Sequence, residues 1–259
     1  MAKLFNSINK IVLVVEYDGG NYYGFQWQAR LPTIQDELEK AIKKVTGERL
    51  RIIAASRTDT GVHARGQVVS FRTQSSLTPQ VFIKALNYYL PADIAVKKAL
   101  QVDMGFDVRR NAVSREYDYL ILNGPTRSPL LEGRAYRVPT KLNTRIMNKA
   151  GKFLEGEHDF ASFAADLGKL GSTVRTVYRA KVSKKGDLIT YNMMANSFLP
   201  HQVRNTVGLL IRVGSGKVGL DEFQRILEAR VLGLAGPTAP AHGLCLTKVN
   251  YPGNLELAI

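Results

Sequence analysis

The chain has 259 residues, 45% of them hydrophobic, with 36 Lys and Arg against 22 Asp and Glu, a net charge of +14. That composition excludes a disordered chain, and the length suffices to bury a real core in one large domain or two moderate ones. The basic surplus points to a polyanionic partner, nucleic acid or an anionic membrane surface. The membrane reading is weak: the run Ile11–Val15 is far too short to span, and no signal-peptide pattern or basic amphipathic helix stands out. Cys245 is the only cysteine, which rules out an intramolecular disulfide and fits a reducing cytoplasm. The four histidines, His63, His158, His201 and His242, are far apart and lack metal-motif partners, so no metal is expected.

Taken in chain order, residues 10–19 predict a buried strand and a turn. Ile34, Leu38, Ala41, Ile42 and Val45 recur at helical spacing, with Thr33 as N-cap and Gly47 as stop. Strands are expected near 49–55 and 66–72. A helix should begin at Thr78-Pro79, with a strand over 93–102. The alternation over 114–124 predicts a strand, residues 123–139 a large loop, and 143–154 a helix. Residues 173–195 read as a hairpin turning at Lys185-Gly186-Asp187. A helix from Pro200 with Val203, Val207, Leu210 and Ile211 on one face follows, then a helix over 221–230 and a last strand over 242–251. The pattern predicts a mixed α+β fold of two similar halves, 1–105 and 106–259. Each is a mainly antiparallel sheet backed by helices in ferredoxin-like β-α-β-β-α-β order.

The most informative stretch is AASRTDTGVHARGQVVSF, residues 54–71. Asp beside Thr and Gly is ordinary turn chemistry. Yet Arg57 and Asp59 are two apart and share a face if the segment is extended. The adjacent guanidinium keeps the carboxylate ionised, and Arg65 and Arg72 add charge for phosphates. A carboxylate on an anion-binding surface repels the ligand it serves; it makes sense if it reacts with that ligand.

Arg115 and Tyr117 also share one face of a predicted strand. Tyr117 offers a ring for stacking and a hydroxyl for proton transfer, against the plainer reading of a half-buried sheet tyrosine. Arg204 lies early in its helix, where a solvated arginine is the ordinary case. The GSGKVG stretch, 214–219, matches G-x-G-x-x-G by letter. It follows a helix rather than a strand, and Val218 stands where a phosphate loop needs Ser or Thr, so it reads as a turn between helices.

At these residues the sequence resembles the TruA-type tRNA pseudouridine synthases. RTDTGVHARGQV is similar to their signature loop. YDGGNYYGFQWQ with TIQDELEKAI, ALNYYLPADIAV, AVSREYDYLI, GEHDFASF, FLPHQVRNTVGLLIRVGSGK, and ILEAR with AGPTAPAHGLCLTKVNYP follow as family blocks in family order, nearly end to end. The resemblance implies that Asp59 is the catalytic aspartate and Arg57 the arginine that displaces the target nucleotide. It likewise implies that Tyr117 is the active-site tyrosine, Arg204 the partner of the aspartate, and Leu244 an apolar wall of the pocket. Gln202 departs from a frequent Met, and Asp107 from a frequent His; neither is a catalytic position.

Such an enzyme converts uridine to pseudouridine: N1–C1′ breaks, the base turns, and C5 joins C1′. There is no redox change, so no cofactor is expected. Asp59 is compatible with attack at C1′, attack at C6, or abstraction of the C2′ proton. The base must leave its stack, at a cost of a few kcal/mol. The resemblance further implies action at uridines 38, 39 and 40 of the tRNA anticodon stem-loop, a homodimer, and an RNA cleft between the halves. The competing expectation is a basic protein that holds structured RNA and does no chemistry.

Overall fold

Five apolar residues in a row, Ile11–Val15, are at most 1% exposed, as expected of a strand covered on both faces rather than one. The computed structural model describes residues 8–166 and 171–253. In chain order the first elements are β1 (Asn9–Tyr17), α1 (Ile34–Thr46), β2 (Ile53–Ala54), β3 (His63–Thr73), α2 (Pro79–Tyr89) and β4 (Ile94–Val102). They are followed by β5 (Ser114–Leu122), β6 (Tyr136–Arg137), α3 (Thr144–Lys152), β7 (Gly156–Asp159), β8 (Val174–Lys185) and β9 (Leu188–Ala195). The last are α4 (Gln202–Gly214), α5 (Leu220–Ala229) and β10 (Leu244–Asn250). The fold is mixed α+β, with mostly antiparallel sheets backed by helices, and among the described residues no helix is long and apolar enough to cross a membrane.

The chain divides into two compact units, Met1–Val113 with Leu246–Ile259, and Ser114–Cys245. The sequence pattern put the division at 105/106 and gave the last strand wholly to the second half. Most of that strand instead belongs to the first unit.

In the first unit, β1 pairs antiparallel with β3 and β4, with Leu13 opposite Val69 on one side and Ala99 on the other. The strands run in the order β4-β1-β3-β10, and β2 pairs with β3 through Ile53 and Ala54. Helix α1 begins as its sequence dictates: the Thr33 hydroxyl accepts from Asp36 N–H, and Gly47 closes it at φ 76°. Its buried stripe is Ile34, Leu38, Ala41 and Ile42. Helix α2 starts at Pro79, but Thr78 makes no side-chain cap bond. Phe82 meets Phe71 of β3 edge-on at 5.7 Å, joining the helix layer to the sheet.

In the second unit, β5 pairs antiparallel with β9, β9 with β8, and β8 with β7. The β8–β9 hairpin turns at Gly186, φ 59°, as its sequence predicts. Two short strands were not foreseen. β6 runs parallel to β5 inside the expected large loop, and the four polar-rich residues of β7 add to β8. Helix α4 starts at Gln202, not Pro200, because His201 adopts a left-handed conformation at φ 59°. It is buried nearly all round rather than on one face, with Asn205, Thr206 and Leu209 enclosed alongside Val203, Val207 and Leu210. The GSGKVG stretch is a turn, as expected: Gly214 ends α4 and Gly219 caps α5.

Candidate active site

The Asp59 loop, in the first unit, is held by neighbours on both sides of the carboxylate. Buried Gln67 of β3 grips the backbone of Ser56: its Nε2 donates to the carbonyl at 2.8 Å, and its Oε1 accepts from the N–H at 3.4 Å. Tyr17, at the end of β1, shares a 2.8 Å hydrogen bond with the Thr58 hydroxyl. Thr58 O accepts from Phe25 N–H at 3.0 Å, and Tyr22 O accepts from Gly61 N–H at 3.3 Å. Val62 N–H returns to Asp59 O at 3.1 Å, closing the turn.

Within this clamp Thr58 is buried, while Arg57 is exposed and Asp59 half-buried. Exposure thus alternates over the three residues, and the backbone turns at Asp59 rather than running on as a strand. Arg65 and Arg72, both on β3, are exposed as well. His63 and Arg65 lie in the strand itself, three residues earlier than the pattern suggested. The His63 ring is nearly buried, its Nδ1 3.1 Å from Gly19 N and 3.0 Å from Asp18 Oδ1.

The backing loop, residues 18–33, is what the residue pattern alone did not assign a role. Gly24 has φ 83°, and a Cβ there would lie 2.8 Å from Thr58 O and 3.2 Å from the Asp59 carbonyl carbon. Only glycine satisfies both the dihedral and the close approach. Tyr22 is tied down in turn by donating to Asp93 at 2.6 Å, and burial together with that carboxylate pushes its phenol pKa well up. The density of Gly and Tyr in YDGGNYYGF was the available signal.

The other candidates lie in the second unit. Along β5, burial alternates so that Arg115, Tyr117, Tyr119 and Ile121 share the inner face, as the spacing predicted. Tyr117 is 6% exposed, opposite Met193, and stands edge-to-face with Phe198 at 5.1 Å. Arg115 is also buried, and its Nη1 donates to Asn196 O at 2.9 Å. It thus holds the segment that carries Phe198, an aromatic the residue pattern did not single out.

Arg204 is half-buried on the first turn of α4. Its Nε donates to Ala239 O at 2.9 Å, and Ala239 N–H donates back to Arg204 O at 3.2 Å. Tyr119 Oη donates to Pro240 O at 2.7 Å, and burial pushes that phenol's pKa up, opposed in part by the Arg204 charge. Residues 239–240 are thereby strapped to both α4 and β5, just ahead of buried Leu244. Both departures from the family pattern have local roles. Asp107 Oδ1 caps Arg109 and Arg110 N–H at 2.8 and 2.9 Å, and the Arg110 N–H holds its carboxyl below the usual range. Gln202 Oε1 accepts from Leu199 N–H at 2.8 Å. Among the described residues no group of three or more His, Cys, Asp or Glu stands together to hold a metal ion.

A family model described as tRNA pseudouridine synthase matches residues 13–109 and 150–252. The tRNA pseudouridine synthase A of Acetivibrio thermocellus is 41% identical over 244 residues, covering 94% of this chain and all of that one. The protein of the same name from a Thermoanaerobacter strain is 43% identical over 244 residues, with 94% and 100% covered. That of Legionella pneumophila is 41% identical over 248 residues, with 96% and 95% covered. Among solved structures, the archaeal box H/ACA sRNP Nop10–Cbf5 complex shows only a slight likeness. Its TM-score is 0.39 at 12% identity, over 79% of this chain and 44% of that one. The class is therefore that of RNA-isomerising enzymes of mixed α+β fold. The chain belongs to the tRNA pseudouridine synthase family, which converts uridine in tRNA to pseudouridine.

Proposed function

We propose that this synthase acts on the anticodon stem-loop, at uridines 38, 39 and 40, with Asp59 as nucleophile. Tyr117 and Arg204 complete the catalytic set. Arg57, Arg65, Arg115, Tyr117 and Leu244 contact the substrate, and Arg115 also holds the Asn196–Phe198 segment. The observation that carries the reading is the Asp59 loop, whose backbone is clamped on both sides while a half-buried carboxylate stands two residues from an exposed arginine. Fixing a negative charge on an RNA-facing surface weakens binding, so its use is chemical. N1–C1′ breaks and C5–C1′ forms, the C5 proton leaves to solvent and N1 gains one; electrons balance without an oxidant. The reading carries no cofactor, a homodimer, and a cytoplasmic location.

The test is tritium release from tRNA labelled at uridine C5, followed by mapping pseudouridine in tRNA from cells lacking the protein. Release in vitro with loss at 38, 39 and 40 in those cells supports the assignment. Loss at other uridines overturns the site assignment, and no release at all overturns the chemistry.

A further inference from the structure

Trp27 is the only tryptophan in the chain. It is 42% exposed, with the Arg51 guanidinium 4.9 Å above its ring centroid. It lies two residues beyond Phe25, whose N–H bonds to Thr58 beside Asp59, so it continues the loop that backs the catalytic turn. Its own backbone is pinned, since Trp27 N–H donates to Gln35 Oε1 at 3.0 Å. Beside it opens a cavity of about 420 Å³, lined also by Arg30, Asp36, Glu37 and Lys40. That volume lies in the range of small-molecule sites, about 300–1,000 Å³. Arg30, at its edge, has φ 64°, a conformation that L side chains rarely adopt.

The charges here are nearly cancelled. Lys40 is 2.7 Å from Asp36 and 2.8 Å from Glu37, and Arg51 is 3.2 Å from Glu39. A phosphate gains little from cations already paired with carboxylates. A nucleobase is different: it is neutral, stacks on an aromatic face, and presents polar edges to surrounding donors and acceptors. The guanidinium over one face of the ring holds the indole in place and leaves the base the opposite face.

We infer that Trp27 and the cavity beside it form an accessory subsite that stacks one unpaired base of the RNA substrate. The inference rests on the proposed action at an RNA stem-loop, whose loop nucleotides supply unpaired bases.

The sole tryptophan makes the test direct. An anticodon stem-loop RNA is titrated into the protein while intrinsic fluorescence is read, with filter binding and tritium release run on the same samples. The expected result is quenching that saturates with binding. Trp27→Ala should weaken binding about ten-fold or more, as removal of a base-stacking aromatic does, while Trp27→Phe retains most of the affinity. The log–log plot of affinity against salt should shift for Trp27→Ala without a change of slope, because no phosphate contact is lost. Circular dichroism confirms that both variants fold. Unchanged emission at saturating RNA, unchanged affinity of Trp27→Ala, or a shallower salt slope each overturns the subsite. A wild-type protein that neither binds nor isomerises the stem-loop overturns instead the functional reading beneath it.

Discussion

Tyr17 and Thr58 meet through a 2.8 Å hydrogen bond between side-chain hydroxyls, and both residues are buried. The last residue of a core strand thereby fixes the residue just before the catalytic candidate. Placement of Asp59 is thus coupled to the integrity of the sheet.

Tyr17→Phe removes that bond and leaves the Thr58 hydroxyl buried without this partner. A loss of about 1–3 kcal/mol in stability is expected. Turnover should fall more than the equilibrium stability implies, because the loop loses an anchor. Urea unfolding and single-turnover tritium release measure the two effects. Full turnover at reduced stability would show that the bond serves the core alone.

Gly24→Ala should be far more harmful than Gly47→Ala. Both positions have positive φ, 83° and 76°, so each pays backbone strain of about 1–2 kcal/mol. Gly47 has nothing within 4 Å of an added Cβ, whereas at Gly24 the methyl meets Thr58 O at 2.8 Å. The expected outcome is a mildly destabilised, active Gly47→Ala and a Gly24→Ala that folds poorly or has lost isomerisation. Equal activity of the two would mean the Asp59 loop tolerates displacement.

Asp59→Asn should abolish isomerisation and leave RNA binding intact or slightly tighter. The amide is nearly isosteric and acceptable in a turn, yet a very poor nucleophile. Removing the charge also removes a repulsion toward phosphate. Tritium release, filter binding and circular dichroism on one preparation decide it; near-wild-type turnover would return Asp59 to the status of a turn residue.

Tyr117→Phe and Tyr117→Leu separate two roles. Phe keeps the ring against Phe198 and loses the hydroxyl; Leu loses both. A rate loss in Phe assigns work to the hydroxyl, and a loss confined to Leu assigns it to the ring. If both variants bind and react normally, Tyr117 is only a sheet residue.

Affinity for tRNA should fall steeply with ionic strength, since a net charge of +14 is expected to neutralise several phosphates and release counterions. A flat log–log plot would separate the basic surplus from the binding surface.

Local chemistry was the legible part of the sequence. Thr33 and Gly47 announced α1 because cap and stop are set by residues adjacent to the helix. The sharing of a buried face by Arg115 and Tyr117 followed from period-two geometry alone. What the sequence hid depends on distant partners. β7, the four residues Gly156–Asp159, carries no strand-like pattern and exists through its pairing with β8. His201 ends the chain's approach to α4 by a left-handed turn that no glycine advertises. The hold of Phe25 on Thr58 joins segments far apart in sequence, and only the folded sheet brings them together.

The unit that carries Asp59 is built from both ends of the described chain: Leu246–Asn250 of β10 takes its place next to β3 only after the whole of Ser114–Cys245 has been made. During synthesis, then, the part of one β3 edge that β2 does not cover stays unpaired until β10 is made, and an open strand edge invites association with other chains. A message truncated before codon 246 would remove a strand from the unit that carries Asp59, so late nonsense lesions should behave like lesions in the Asp59 loop itself.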